Sequence, residues 1–161
     1  MGIKLAVGHS QYVLDQMRMQ GFAVDQEFEG VLPKMPSDIT DLDDEGVMRL
    51  WQEYNAYLQF VLAQVTCAQI DETDAKKSLE YIEARFTALH TQPKMTVSAI
   101  KAQVSSEEAV QDAESAYSAA YYYRKAMEMM YTNVKMDCDF ISRELTRRTS
   151  GGFSRASKFT I

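Results

Sequence analysis

The sequence predicts an all-α protein, a long antiparallel helical hairpin of coiled-coil type with a short N-terminal helical arm and a basic C-terminal tail. Two long stretches carry apolar residues at alternating steps of three and four, the period of a helix packed lengthwise against another helix. The 161 residues include only 7 Gly and 3 Pro. No stretch of useful length alternates apolar and polar residues as a half-buried strand does. These three observations together indicate long helices and exclude a sheet.

The last of the stepped stretches, residues 107–148, organises the chain. Ten of its eleven stepped positions are apolar or aromatic, and the exception is Arg124. The ten are Val110, Ala113, Tyr117, Ala120, Met127, Tyr131, Val134, Cys138, Ile141 and Leu145. We therefore predict a single helix whose apolar seam faces a partner helix along its full length.

The partner helix is predicted to begin after Asp43, which is a suitable N-cap because its side chain can accept a hydrogen bond from the first turn. The same stepped count follows from Val47 to Leu89, and Glu72 is the only charged residue in it. Three more apolar residues widen the seam near its start: Leu50, Tyr57 and Leu62. We expect the N-terminal arm to pack there.

The connection between the two long helices is short. Thr96 can cap a helical segment over residues 97–103, and Ser105 with Glu108 forms a capping box that would open the last helix. A short connection makes the two long helices antiparallel neighbours.

The two charged residues in the seams predict a register. If Leu89 lies opposite Val110, Glu72 and Arg124 fall within one helical turn of each other. A partly buried ion pair between them would supply a single polar layer that fixes how the helices align. The alternative is that each side chain extends out of the seam into water.

The chain divides into three parts: an arm and linker over residues 1–41, the hairpin over 42–149, and a tail over 150–161. We predict a short helix from Ser10 to Gln20 that stops near Gly21, and an extended linker over residues 31–40. The arm would dock on its own hairpin or on a neighbouring subunit. Four phenylalanines are predicted anchors for such contacts: Phe22, Phe28, Phe153 and Phe159.

Charge is distributed unevenly. The net charge is −6, but residues 143–158 hold five basic residues against Glu144 alone, a local charge of +4 that leaves −10 for the remainder. An acidic body with a basic end favours either self-association or a polyanion held at that end. Part of the pattern also matches helix dipoles, with acids at helix starts and bases at the last helix's end.

Familiar catalytic motifs are absent from the sequence. It contains no phosphate-binding loop, no glycine-rich dinucleotide fingerprint and no nucleophile elbow. His9 and His90 have no second ligand at metal-binding spacing, so we expect no metal site. Because the catalytic motifs are absent, we also expect no cofactor and no enzyme activity. We also expect no signal peptide and no membrane span, and Cys67 and Cys138 as buried free thiols, all of which suits a cytoplasmic protein.

The last helix is rich in tyrosine, with Tyr117, Tyr121, Tyr122, Tyr123 and Tyr131. Tyrosines can stack on bases or pack between helices. Helical spacing spreads these five around the helix, which favours packing over base stacking.

Two segments resemble small helical phage proteins related to the recombination mediator UvsY. The first is residues 94–113, KMTVSAIKAQVSSEEAVQDA, followed by the tyrosine-rich helix and ISRELTRR, residues 141–148. The second is the linker and helix start LPKMPSDITDLDDE, residues 32–45. The resemblance covers roughly residues 32–148, and its motifs are patterns of helix caps and spacing.

This resemblance implies a phage-encoded, non-enzymatic recombination mediator in the host cytoplasm. Such proteins form ring-like homo-oligomers, bind single-stranded DNA and help to load a recombinase onto strands coated with single-strand-binding protein. The family's basic Lys-Ala-Arg pattern corresponds to residues 83–85 here, where Arg85 matches and Glu83 replaces the lysine. The candidate DNA contacts are Arg85, Lys94, Lys101, Arg143, Arg147, Arg148, Arg155 and Lys158.

Two other functions fit the same residues. A phage structural, virion or assembly protein would use the hairpin, arm and tail for helical protein–protein contacts. An acidic inhibitor that imitates DNA would use the acidic body, although the basic end of the chain argues against it.

Overall fold

The computed structural model describes residues 9–21, 33–93 and 95–156, with side chains as far as residue 150. Within these ranges the protein is all-α, as predicted, and contains no strand. The helices are α1 (His9–Met19), α2 (Asp44–His90), α3 (Val97–Ser106) and α4 (Glu108–Ala156), with one 3-10 turn at Ile39–Asp41. The long helices α2 and α4 pack together as the predicted hairpin.

Local capping sets the start of α2 and the end of α1. The carboxylate of Asp43 accepts a hydrogen bond from the backbone amide of Gly46 at 2.7 Å, so the predicted N-cap is confirmed. Gly21 follows α1 with a φ of 85°, a left-handed conformation that costs glycine little. The predicted stop of the arm helix is therefore confirmed as well.

The break before α4 lies later than the sequence predicted. Thr96 caps α3 as expected, accepting from the amide of Ala99. The capping box at Ser105 is wrong, because α3 continues to Ser106. The chain turns instead at Glu107, whose carbonyl accepts the amide hydrogen bonds of Val110 and Gln111 that begin α4.

The chain forms two compact units, each of which contains a stretch of α2 and a stretch of α4. Unit 1 consists of Met1–Ala23 and Val65–Met127, and unit 2 of Val24–Gln64 and Glu128–Ile161. The described part of unit 1 therefore holds α1 and α3, whereas that of unit 2 holds the linker and the 3-10 turn.

Unit 2 has its own apolar core, which is formed by side chains of α2, α4 and the linker. The buried members are Ile39, Val47, Leu50, Tyr54, Tyr57, Val61, Val134, Cys138 and Ile141. Met35 and Leu42 of the linker pack against this cluster. The linker thus supplies a third element on this part of the seam. The described helix of the arm, α1, belongs to unit 1, and the rest of the arm, which was predicted to pack beside Leu50 and Tyr57, lies outside the described residues.

Unit 1 is where the arm docks on its own hairpin. The imidazole Nδ1 of His9 lies 2.8 Å from the carboxylate of Asp74 on α2, and Leu14 is buried. The register of the hairpin is also visible here, because His90 Nε2 lies 2.7 Å from a carboxylate oxygen of Glu107. Leu89, the residue used to predict the register, is 65% exposed and does not belong to the seam.

The last helix is longer than predicted. It was expected to end at residue 149 and to give way to a tail, but α4 continues to Ala156 and includes the two glycines at 151 and 152. Each glycine costs a helix about 1 kcal/mol relative to alanine, which is why the sequence suggested a stop. Just before these glycines, the Thr149 hydroxyl lies within hydrogen-bonding distance of the carbonyls of Leu145 and Thr146 in the preceding turn.

Candidate nucleic-acid interface

The predicted ion pair between the two long helices is present. The guanidinium of Arg124 on α4 donates two hydrogen bonds to the carboxylate of Glu72 on α2, one from Nε and one from Nη2 at 3.4 Å. Each side chain is 16% exposed. The pair lies inside unit 1, where Glu72 and Arg124 were predicted to form the polar layer of the seam.

Arg148 holds the linker of unit 2 in place. Its guanidinium donates to the backbone carbonyls of Ile39 at 3.1 Å and Leu42 at 2.8 Å, and to the carboxylates of Asp44 and Glu144. All three guanidinium nitrogens are used, and the side chain is largely buried. Arg148 was predicted to contact DNA, but these internal acceptors occupy it, and we leave it out of the interface.

Glu144 is the acidic centre of this cluster. Hydrogen bonds from Arg147 and then from Arg148, together with the charges of both, lower the pKa of the Glu144 carboxyl to about 2. Arg147 donates to it from two nitrogens but is mostly exposed, so part of its charge faces solvent. The local charge of the basic end is therefore partly neutralised by contacts within the chain.

Three of the predicted DNA contacts stand exposed without an acidic partner among the described residues. Arg85 lies on α2 and Lys101 on α3, both in unit 1, and Arg143 lies on α4 in unit 2. Within the described ranges, none of these three side chains takes part in a hydrogen bond or an ion pair. They contrast with Arg49 and Lys76, each of which is paired with a glutamate one turn away.

Several predicted contacts lie outside the described residues. Nothing in the structure bears on Lys94, Lys158, Phe22, Phe28 or Phe159. Arg155 and Phe153 lie on the last turns of α4, within the helix rather than beyond it, but their side chains are not described.

Sequence reasoning missed an aromatic and basic face on α2. Lys77, Tyr81 and Arg85 follow one another at intervals of four residues, so they share one side of the helix. All three are exposed, and the Tyr81 side chain is 69% exposed. The signal was present in the sequence, because positions 77, 81 and 85 lie outside the apolar seam and repeat at helical spacing.

The tyrosines of α4 divide between packing and exposure. Tyr117, Tyr121, Tyr123 and Tyr131 are half-buried, in agreement with the predicted packing role. Burial raises the pKa of the Tyr123 phenol, with smaller contributions from Cys67 and Asp71. Tyr122 differs, because it is 70% exposed and meets the Tyr121 ring edge-on, with centroids 5.4 Å apart.

A second exposed face, this one apolar, lies on the part of α4 in unit 2. Met129, Met136 and Phe140 are separated by seven and four residues and therefore share one side of the helix. Arg143 continues the same side. Exposed apolar residues aligned in this way are typical of a surface that contacts another molecule.

A shallow groove beside α1 is lined by His9, Thr66, Asp74 and Lys77 among others. In the described ranges, no cluster of three or more His, Cys, Asp or Glu side chains is arranged to hold a metal ion, and no helix is long and apolar enough to cross a membrane. Cys67 and Cys138 are buried free thiols, as predicted.

Comparisons with known proteins give no match, whether with protein-family models, curated proteins or solved structures.

Proposed function

We propose that this protein is a phage-encoded, non-enzymatic recombination mediator that acts in the host cytoplasm. It binds single-stranded DNA as a homo-oligomer and delivers the strand to a recombinase in the presence of single-strand-binding protein. The resemblance of residues 32–148 to small helical phage proteins of this kind motivates the proposal.

The observation that supports DNA binding most directly is the set of exposed cations that have no acidic partner among the described residues. Arg85, Lys101 and Arg143 face solvent, while Arg124 and Arg148 serve the fold. An exposed guanidinium or ammonium group that has no carboxylate beside it can contact a phosphate of the nucleic acid. That contact releases the counterion that had neutralised the phosphate. Because the protein is acidic overall, such contacts have to be local.

Binding of labelled single-stranded DNA at two ionic strengths tests this function. We expect affinity to fall steeply with salt, because each phosphate contact contributes about −0.7 to the logarithmic slope for a single strand. Changing Arg85 or Arg143 to Gln should weaken binding and make the slope shallower. The matched control is Arg49→Gln, which removes the same charge from an exposed arginine that is paired with Glu45. Absence of binding at low salt would exclude the function.

The apolar face of α4 favours a second candidate function, a structural or assembly protein of the virion. Met129, Met136 and Phe140 offer another helix an apolar strip with coiled-coil spacing. A protein of this class would assemble through that strip without any need for DNA.

Light-scattering mass measurements separate the two candidates. Changing Met129, Met136 and Phe140 together to Gln should reduce the assembled mass if this face is an interface. Loss of assembly with unchanged DNA affinity would favour the structural role, and loss of both would link assembly to DNA binding. An unchanged mass would show that the face is not an interface between copies.

A further inference from the structure

The exposed face of α2 combines one aromatic ring with two cations. Tyr81 has Lys77 one turn before it and Arg85 one turn after it. At a rise of about 1.5 Å per residue, the Cα atoms of Lys77 and Arg85 are about 12 Å apart, with the ring between them. The two charges therefore bracket an exposed ring along one line on the helix surface.

The neighbours of Tyr81 leave its ring open. On a helix, the residues that can cover a side chain are those three and four positions away. For Tyr81 these are the two cations and two small residues, Ser78 and Ala84, both exposed. No described aromatic residue stacks on the Tyr81 ring, in contrast to Tyr122, which packs against Tyr121. An extended planar partner can therefore reach one face of the Tyr81 ring.

Two of the acidic residues near this face in the sequence have partners other than Lys77 and Arg85. Glu80 is the nearest exposed acid, and its carboxylate is paired with Lys76 at 3.9 Å. Asp74, one turn before the face, is bonded to His9. Lys77 and Arg85 form no ion pair with any described residue. The face itself carries the two positive charges of Lys77 and Arg85, while residues 74–85 as a whole hold three acidic and three basic side chains.

We infer that Lys77, Tyr81 and Arg85 form a binding face for single-stranded nucleic acid, in which a base stacks on Tyr81 and the two cations contact backbone phosphates on either side. This combination of a stacking ring with a cationic track is how proteins hold single strands without reading their sequence. A duplex keeps its bases stacked inside and leaves the ring without a partner, so the face selects unpaired strands. The inference rests on the proposed function and specifies where the strand lies and which strand form is bound.

The test uses the full-length protein and a labelled oligothymidylate, with an unlabelled duplex of equal length as competitor. Tyr81→Leu removes the ring but leaves both charges, so affinity should fall about 5- to 150-fold while the salt slope stays unchanged. Tyr81→Phe keeps the ring and should retain affinity. Lys77→Gln and Arg85→Gln should each make the logarithmic salt slope shallower by about 0.7.

The matched control is Tyr12→Leu. Tyr12 is also an exposed tyrosine on a helix, but the described residues one turn from it include the acidic Asp15 and no lysine or arginine. This variant should bind like the unchanged protein, and the thermal unfolding midpoints of both leucine variants should match it.

The outcomes separate the stacking face from the proposed function. If the unchanged protein binds the strand but Tyr81→Leu behaves like Tyr12→Leu, the stacking face is refuted and the proposed function survives. Equal competition by duplex would likewise refute the strand selectivity. If the unchanged protein does not bind at low salt, the proposed function fails and the inference fails with it.

Discussion

The guanidinium of Arg124 is hydrogen-bonded to the carboxylate of Glu72 across the apolar seam between α2 and α4 in unit 1. The two are the only charged residues among the stepped seam positions of their helices. A polar layer of this kind adds little net stability, because desolvation of the two charges offsets their attraction. The layer instead fixes the register of the two helices, because any other alignment would separate the two charges within an apolar seam.

Removing one partner of this pair should destabilise the hairpin more than removing both. Glu72→Leu leaves the Arg124 guanidinium without its carboxylate, and we expect a loss of about 1–3 kcal/mol in the free energy of unfolding. The double change of Glu72 and Arg124 to Leu should recover most of that loss or exceed the original stability. Urea unfolding followed by circular dichroism measures all three proteins. Equal losses in the single and double variants would contradict a coupled pair.

Acid should weaken the cluster around Glu144. The folded-state pKa of Glu144 is lowered from 4.5 to about 2, chiefly by the hydrogen bond from Arg147. Because the folded state binds this proton less readily than the unfolded state, the contribution of Glu144 is fully present above pH 4.5 and is lost as the pH falls towards about 2. Glu144→Gln should lower the thermal unfolding midpoint at pH 7. Between pH 4.5 and about 2, the midpoint of this variant should fall less steeply than that of the unchanged protein. A parallel decline in the two proteins would rule out Glu144 as a source of acid sensitivity.

Arg148→Lys should loosen the linker while keeping the charge. Lysine cannot reproduce a planar fork that reaches the carbonyls of Ile39 and Leu42 and two carboxylates at once. We expect faster limited proteolysis within residues 33–42 and a change in the fluorescence of Trp51, which packs against the same core. Arg143→Lys, an exposed change on the same helix, is the control. Identical cleavage rates in the two variants would refute the role of Arg148.

Core packing in unit 2 should depend strongly on Ile141, whose side chain is fully buried. Ile141→Ala removes methyl groups and leaves a cavity, which costs about 2–5 kcal/mol in the free energy of unfolding. Met136→Ala, on the exposed side of the same helix, should change it by no more than about 0.5 kcal/mol. Denaturant unfolding at a concentration that keeps the protein monomeric provides the comparison. A similar cost at both positions would mean that the exposed side of α4 is buried in solution.

The misplaced features have a common cause. Local preferences alone predict the capping box at Ser105 and the helix end near residue 149. In the structure, α3 continues to Ser106 and α4 to Ala156. The register was predicted from Leu89, an apolar residue that turned out to be exposed. The predicted alignment of α2 and α4 is nevertheless nearly correct, because it pairs Glu72 with Arg124. Leaving a buried charge unpaired costs more free energy than exposing a leucine.

The sequence alone predicts the all-α hairpin, the caps at Asp43 and Thr96, the end of the arm helix and the Glu72–Arg124 pair. The hairpin and the caps follow from periodicity and from interactions between residues close in the chain, and the ion pair follows from the single charged residue in each apolar seam. The tertiary structure adds that the linker packs against the core of unit 2, and that Arg148 serves the fold while Arg143 remains exposed. Arginines so close together on one helix look alike in sequence, and the two carbonyls and the Asp44 carboxylate that bind Arg148 come from segments about a hundred residues away.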